Sequence, residues 1–148
     1  MKMRLPHTIL CIAIISMAYP AFGQSTHGSS IDDTSILRPP RFKPQYKESK
    51  AAVTRGQSLF KDSRLSTNGR ACSSCHTDVE SFGPRFVSPY PHAAMNSQAR
   101  FGVDKMHLDE VIQVCMQGPM RNIPFEWGSP EQMDLTLYLL KVQSTKRM

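Results

Sequence analysis

Apolar residues recur with helical spacing in three parts of this chain, and the first lies at residues 49–61. Ala52, Leu59 and Phe60 share one side of the predicted helix, which has Gly56 inside it. Glycine within a helix costs roughly 1 kcal/mol relative to alanine, so its presence indicates that another backbone passes close by. We therefore expect a second helix to cross the first one near Gly56.

The second helical pattern places apolar side chains at positions i, i+3, i+4 and i+7. Asp104 is a candidate for its N-cap, and Gly118 followed by Pro119 is expected to end the helix. A cysteine occupies the last position of the apolar face. The four positions are Leu108, Val111, Ile112 and Cys115.

The third pattern opens with clear helix-start signals. Ser129 can serve as N-cap, Pro130 fits the first helical position, and Gln132 stands where a capping box needs its reciprocal side chain. Apolar residues then cover much of the predicted helix surface. This helix is the one expected to cross the first at Gly56. Its apolar residues are Met133, Leu135, Leu137, Tyr138, Leu139, Leu140 and Val142.

Two long segments are rich in proline and show little periodicity. Residues 24–48 are polar and are expected to form a flexible or extended lead-in that wraps the domain formed by residues 49–148. Residues 77–106 form a predicted loop, and a loop this long in a small domain usually encloses something. His92 within it is read chiefly as an ordinary loop residue, with a cofactor contact or metal ligation as the alternatives. The predicted fold class is all-α, with three to five helices and long Pro-rich loops.

The N-terminus has the composition of an export signal. Lys2 and Arg4 form a positive start, residues 8–18 are almost entirely apolar, and residues 21–23 offer small side chains at the two positions that a signal peptidase reads. A membrane-spanning helix needs about 20 apolar residues, which is more than this run supplies. Residues 1–23 are therefore predicted to be a cleaved signal peptide. Pro20 makes the cleavage site imperfect and leaves an uncleaved membrane anchor as the alternative.

Removal of residues 1–23 leaves a single domain of ordinary size and lowers the formal net charge from +6 to +4, because Lys2 and Arg4 are lost. This charge is too mild to argue for nucleic-acid binding, and no basic run alternates with aromatic residues. A modest positive face could steer an acidic protein partner, although a solvated surface is the plainer explanation.

The stretch Cys72-Ser73-Ser74-Cys75-His76 carries the strongest chemical signal. Two cysteines separated by two residues and followed at once by histidine form the C-x-x-C-H signature of covalent c-type haem attachment. The thiols of Cys72 and Cys75 each add to one haem vinyl group, and the His76 imidazole reaches the iron as proximal ligand. A zinc site needs a second cysteine pair, which this sequence lacks, and a redox-active dithiol is the other alternative. The motif predicts one haem c, a small cytochrome c fold around it and, because haem c is attached outside the cytoplasmic membrane, a periplasmic location.

Cys115 is left as an odd cysteine, because Cys11 lies in the signal segment and the other two are assigned to haem. The sixth iron ligand then has three candidates, which are Met120, Cys115 and Met116. A methionine thioether raises the haem potential and suits electron transfer, whereas a cysteine thiolate lowers the potential. A packing methionine and a buried inert thiol are the plain alternatives. The residues alone leave the choice between Cys115 and Met120 open.

Residues 115–139 resemble the C-terminal haem domain of SoxA, the thiosulfate-oxidising cytochrome, and the related cysteine-ligated domain of thiosulfate dehydrogenases. The matching features are a cysteine at a helix end, an arginine shortly after it, a Gly-Ser-x-Glu helix start and a Leu-x-Leu-Tyr-Leu run. Tyr90-Pro91 also matches, and the likeness covers roughly residues 55–142. In that family the cysteine is the distal haem ligand and the site of sulfur chemistry beside an arginine. The resemblance therefore implies that Cys115 binds iron and that Cys115 and Arg121 are catalytic.

Two functions follow from these observations. The first is a periplasmic monohaem cytochrome that transfers electrons and takes part in inorganic sulfur oxidation, with His76 and Cys115 as iron ligands. The alternative is a simple electron carrier between periplasmic redox proteins, with His76 and Met120 as ligands. Both imply a redox partner protein, and the first allows a second cytochrome subunit as well. Neither implies nucleic acid or a membrane span after signal cleavage, and whether the chain is itself an enzyme stays open.

Overall fold

The computed structural model describes residues 36–78 and 80–146, in which the regular secondary structure is helical and no strand occurs. The predicted signal segment, residues 1–23, and the first part of the lead-in lie outside the described residues. The all-α prediction is confirmed for the part of the chain that is described. None of its helices combines the length and apolar character that a membrane crossing requires. The helices are α1 (Lys50–Phe60), α2 (Ser97–Phe101), α3 (Leu108–Gln117) and α4 (Pro130–Lys146).

Helix α1 crosses α4 at Gly56, as the sequence predicts. The Ser49 hydroxyl caps α1 by accepting a hydrogen bond from the Ala52 N–H at 3.1 Å. A Cβ atom at Gly56 would overlap the backbone carbonyl of Asp134, so only glycine permits this close approach. Arg55, next to the crossing, forms an ion pair with Asp134. The two long helices are therefore joined both by backbone contact and by charge.

Helix α3 begins at Leu108, and the prediction of Asp104 as its N-cap is wrong. His107 is the N-cap residue, and its N–H donates a hydrogen bond to Glu110 Oε2 at 2.6 Å. A carboxylate inside the first turn thus satisfies the backbone at the helix start, so no acidic residue is needed before it. Gly118 ends the helix as predicted, with its N–H donating to the Val114 carbonyl at 2.9 Å.

Helix α4 begins where the sequence predicts, but the side chain of Gln132 has a different hydrogen-bond partner from the one expected. The Ser129 hydroxyl accepts a hydrogen bond from the Gln132 N–H at 3.3 Å. The predicted return bond from Gln132 to the Ser129 N–H is wrong, because Gln132 Oε1 accepts from the Gly128 N–H at 2.8 Å. The Ser129 N–H donates instead to the Glu126 carbonyl at 3.1 Å. A positive φ of 82° at Gly128 makes this tight turn possible.

Residues 37–46 run across the start of α3 without helix or strand, and we call them the N-terminal strap. Nε and Nη2 of Arg38 donate to the Asp109 carboxylate at 2.9 to 3.1 Å. The Tyr46 hydroxyl donates to the same carboxylate at 2.8 Å. Asp109 is buried, and its carboxylate also accepts a hydrogen bond from the Glu110 N–H at 3.0 Å, so the strap and the start of α3 share the compensation of its charge. The described part of the lead-in therefore packs against the domain.

Residues 77–106, predicted to be a loop, contain helix α2 and two short 3₁₀ turns, Glu80–Phe82 and Pro84–Val87. Their pattern was not visible in the sequence because each element has five residues or fewer. His92 and Met106 pair as an isolated antiparallel bridge, with N–H···O distances of 3.2 and 3.0 Å. The loop is thus closed at its base and folds over one side of the helical core.

Candidate functional site

A cavity of about 500 Å³ lies between the loop at residues 77–106, the C-x-x-C-H turn and helices α3 and α4. This volume falls within the range of roughly 300 to 1,000 Å³ that is typical of small-molecule and cofactor sites. Its wall is largely apolar, as expected for a site that binds a large apolar group. The polar and sulfur-bearing side chains on the wall belong to Cys72, Cys75, His76, Arg85, Tyr90, Met95, His92, Cys115, Met116 and Met120.

The C-x-x-C-H residues form a compact turn on one wall of this cavity. The Cys72 carbonyl accepts hydrogen bonds from the N–H groups of Cys75 at 3.2 Å and His76 at 3.0 Å. The Ser74 hydroxyl accepts from the Ala71 N–H at 3.0 Å and fixes the start of the turn. Cys72 is half-buried and Cys75 is exposed, yet both line the cavity together with His76. The predicted attachment residues are therefore together at one site.

His76 is held by stacking on an aromatic side chain. Its ring lies parallel to that of Phe82, with centroids 4.2 Å apart and 6° between the planes, and Phe82 stacks in turn on Phe86 at 4.2 Å. Nδ1 of His76 is buried and has no hydrogen-bond partner in the described chain. Burial lowers the pKa of His76, with the backbone of Ser81 acting in the opposite direction. The ring is thus kept neutral and can offer a nitrogen lone pair.

Cys115 reaches the same cavity from helix α3. Burial, reinforced by the neighbouring thiols of Cys72 and Cys75, raises the pKa of Cys115 to about 12, while the charge of Arg100 acts to lower it. Burial and the proximity of Cys115 also raise the pKa of Tyr90 to about 12. The Cys115 thiol therefore keeps its proton at neutral pH unless a cation with a stronger effect than Arg100 stabilises the thiolate.

Both methionine candidates also line the cavity, and each is 3% exposed. The Met120 N–H donates to the Cys115 carbonyl at 3.0 Å, and the Met120 carbonyl accepts from the Thr67 N–H at 3.3 Å. These bonds fix the turn after α3 so that Cys115, Met116 and Met120 reach one space. The identity of the sixth ligand stays a prediction, because all three side chains are at the cavity.

Arg121, the arginine implied by the resemblance, is exposed and does not belong to the cavity wall. Its φ is 52°, and its carbonyl accepts a hydrogen bond from the Thr67 hydroxyl at 2.6 Å. The cationic groups that act on the cavity come from residues 77–106: Arg85 lines the wall, and Arg100 lowers the pKa of Cys115. The catalytic role of Arg121 stays a prediction.

Two residues of the site were missed or underrated in the sequence. Phe82 gave no signal, because a single aromatic residue in an aperiodic loop forms no pattern. His92 was visible next to Tyr90-Pro91, but only the structure places its Nε2 in a buried position without a hydrogen-bond partner among the described residues. Both lie on the cavity wall.

No three His, Cys, Asp or Glu side chains within residues 36–78 and 80–146 come close enough together to hold a metal ion on their own. Comparisons with protein-family models, curated proteins and solved structures found no match to this chain. The site is therefore interpreted from its own residues and their arrangement.

Proposed function

We propose that this chain is an exported, periplasmic c-type cytochrome that binds one haem c and transfers electrons. Cys72 and Cys75 would hold the haem through thioether bonds, and His76 would be the proximal iron ligand. A small cytochrome c fold, with the helices packed around one haem, is part of the same proposal. Bound haem would supply a one-electron redox centre, and a redox partner protein would exchange electrons with it.

The observation that carries this proposal is the cavity shared by the motif and the ligand candidates. Cys72, Cys75 and His76 line a mainly apolar space of about 500 Å³. Cys115, Met116 and Met120 line the same space, so all three candidates for the sixth ligand are within the site. A C-x-x-C-H sequence that occurred by chance in a surface turn is not expected to line such a cavity.

Phe82 would orient the proximal ligand. A metal-binding histidine usually donates its other ring N–H to a nearby acceptor, which fixes the ring. His76 Nδ1 makes no such hydrogen bond to the described residues, but the parallel ring of Phe82 restricts its rotation. The stack therefore supports a ring that is held ready to bind iron.

In the first version of this function, Cys115 would be the second protein ligand of the iron and the protein would take part in inorganic sulfur oxidation. Its free thiol has a pKa of about 12, so the thiolate forms only where a strong cation such as a metal ion is present. The resemblance assigns the sulfur chemistry to Cys115 and the binding of an anionic substrate such as thiosulfate to Arg121. A second cytochrome subunit could complete this site.

In the second version, Met120 would be the second protein ligand of the iron and the protein would be a simple electron carrier. The observation that favours it is the burial of Met120 at the cavity wall, where its thioether can reach the cofactor. This version leaves the position of Cys115 without a role.

Spectroscopy of the haem-loaded protein separates the two versions. We expect Cys115→Ser to change the electron paramagnetic resonance spectrum and Met120→Ala to leave the ligation unchanged, with Met133→Ala as a control away from the cavity wall. The carrier version is supported instead if the oxidised protein shows the near-infrared band of methionine-ligated haem and Cys115→Ser leaves the spectrum unchanged.

A reduction assay then tests the sulfur chemistry. Thiosulfate added to the oxidised protein is expected to reduce the haem, and Cys115→Ser should abolish this reduction. Equal reduction in the wild-type protein and in Cys115→Ser would contradict a role for the thiol.

A further inference from the structure

Two loops beside the C-x-x-C-H turn are joined by hydrogen bonds into one surface, which we call the two-loop face. It consists of residues 64–70, which precede the motif, and residues 119–123, which follow helix α3. The Thr67 hydroxyl donates to the Arg121 carbonyl at 2.6 Å, and the Thr67 N–H donates to the Met120 carbonyl at 3.3 Å. Because Met120 also lines the cavity, the two-loop face adjoins the proposed cofactor site.

An isoleucine on this face is held with its side chain in solvent. Ile123 is 80% exposed, and no other large apolar side chain is exposed among residues 36–78 and 80–146. The adjacent backbone is fixed by Asn122, whose side-chain oxygen accepts from the Ile123 N–H at 2.9 Å and whose side-chain nitrogen donates to the Leu65 carbonyl at 3.1 Å. A group that is already fixed loses little conformational freedom when another surface covers it.

The two-loop face is also positively charged. Arg70 and Arg121 are exposed, and neither forms an ion pair within the described chain. Arg64 pairs with Asp62, which precedes the face, and the face itself contains no acidic residue. Arginine is enriched at protein interfaces, where a positive surface meets a negative one. A partner that covers this face would therefore be acidic.

We propose that the two-loop face is the docking surface for an acidic redox partner protein, with Ile123 as its apolar contact and Arg70 and Arg121 as its charged contacts. The inference rests on the proposed haem, because a partner bound here would lie beside the cavity. A second copy of the chain does not fit, since a symmetric contact would bring the same arginines together. A small anion does not fit either, because it has no use for the exposed isoleucine.

Reduction of the haem-loaded, full-length protein by flavodoxin hydroquinone tests this docking surface. Flavodoxin is an acidic protein, and its hydroquinone gives one electron to the ferric haem, which leaves flavin semiquinone and ferrous haem without forming or breaking a bond. At low ionic strength, Arg70→Glu and Ile123→Ser are each expected to lower the second-order rate constant about five- to tenfold. Added salt should remove most of the effect of Arg70→Glu and little of the effect of Ile123→Ser.

Two controls separate docking from other causes of a slower reaction. Lys50→Glu makes the same change of charge at an exposed position at the start of α1, about 15 Å along that helix from its end. It should leave the rate constant within about twofold of the wild type. The 5-deazariboflavin radical, a small and uncharged one-electron donor, should reduce Arg70→Glu and Ile123→Ser as fast as the wild type.

The inference is overturned if Lys50→Glu slows the reaction with flavodoxin as much as Arg70→Glu does, or if neither variant of the face slows it. Slower reduction of these variants by the deazariboflavin radical would assign the effect to the haem and overturn it as well.

Other occupants of the face give their own results. Reduction by dithionite that is slowed as much as reduction by flavodoxin in Arg70→Glu, with no effect of Ile123→Ser on either, would assign the face to small anions. Binding to vesicles of anionic phospholipid that Arg70→Glu abolishes, with unchanged flavodoxin kinetics, would assign it to a membrane surface. Either result overturns the inference. Failure of the proposed function is recognised separately, because a chain without covalent haem lacks haem absorbance before any donor is added.

Discussion

At the scale of single residues, burial gives the three cavity thiols different chemistry. Cys75 is exposed, whereas burial raises the pKa of Cys72 to about 11 and that of Cys115 to about 12. The thiolate is the reactive form, so a raised pKa makes a thiol inert at neutral pH. Of the two thiols in the C-x-x-C-H motif, that of Cys75 is therefore accessible and that of Cys72 is protected, and the Cys115 thiol is the most protected of the three.

Alkylation of the haem-free chain should reveal this order. At pH 8, iodoacetamide is expected to modify Cys75 first, Cys72 more slowly and Cys115 last, because a thiol with a pKa of about 12 is ionised in only about 1 molecule in 10,000. Raising the pH to 10 moves Cys115 toward its pKa and should speed its modification about 100-fold. Mass spectrometry of the digested protein measures each site. Equal rates for Cys75 and Cys115 at pH 8 would contradict the burial of the Cys115 thiol.

At the scale of elements, the crossing of α1 and α4 depends on one position without a side chain. Gly56→Ala places a methyl group against the Asp134 carbonyl and should force the helices apart, lowering the free energy of unfolding by about 1 to 3 kcal/mol. Urea denaturation followed by circular dichroism measures the change. Gln57→Ala, on the exposed side of the same helix, is the control and should leave stability nearly unchanged. A Gly56→Ala protein as stable as the wild type would exclude this close crossing.

One buried carboxylate, that of Asp109, accepts hydrogen bonds from two side chains of the N-terminal strap. Asp109→Ala removes the shared acceptor of Arg38 and Tyr46, and should cost about 3 kcal/mol because it leaves a partly buried guanidinium unpaired. The single tryptophan, Trp127, contacts Phe42 of the strap with ring centroids 5.2 Å apart, so its fluorescence reports on this segment.

The control for the strap is Asp104→Ala, because Asp104 is exposed and precedes the same helix. It should change neither the fluorescence of Trp127 nor the urea midpoint appreciably. If Asp109→Ala behaves like this control, the strap is not held by the carboxylate.

The elements differ in how much of them the sequence could predict. The positions of α1, α3 and α4 were predictable because their apolar residues repeat at helical spacing over ten residues or more. Helix α2 was not, because five residues make little more than one turn. The cap of α3 was misplaced because Glu110 satisfies the helix start from inside the first turn.

The residues of the candidate site also differ in how far the sequence could predict them. The shared turn of Cys72, Cys75 and His76 was predictable because it depends on local spacing, and Cys115 was singled out by counting cysteines. The stack of Phe82 on His76 and the buried Nε2 of His92 depend on the path of an aperiodic loop, which no local pattern records.

At the scale of the whole molecule, several residues of the hydrophobic core also line the cavity. Phe60, Ile112, Leu135 and Leu139 belong both to the main cluster of buried apolar residues and to the cavity lining. A chain of this size can bury only a modest core of its own, so a porphyrin in the cavity would complete it. Haem would then serve the fold as well as electron transfer.

Covalent haem retention tests this account most directly. The full chain is exported in a host that attaches haem c, purified, denatured, and examined by intact mass and by haem staining after electrophoresis. We predict that the wild-type chain carries the mass of one haem and that the Cys72→Ala/Cys75→Ala variant carries none. Cys115→Ser should still carry haem, since its thiol lies outside the attachment motif. A wild-type chain without covalent haem under these conditions would contradict the central claim.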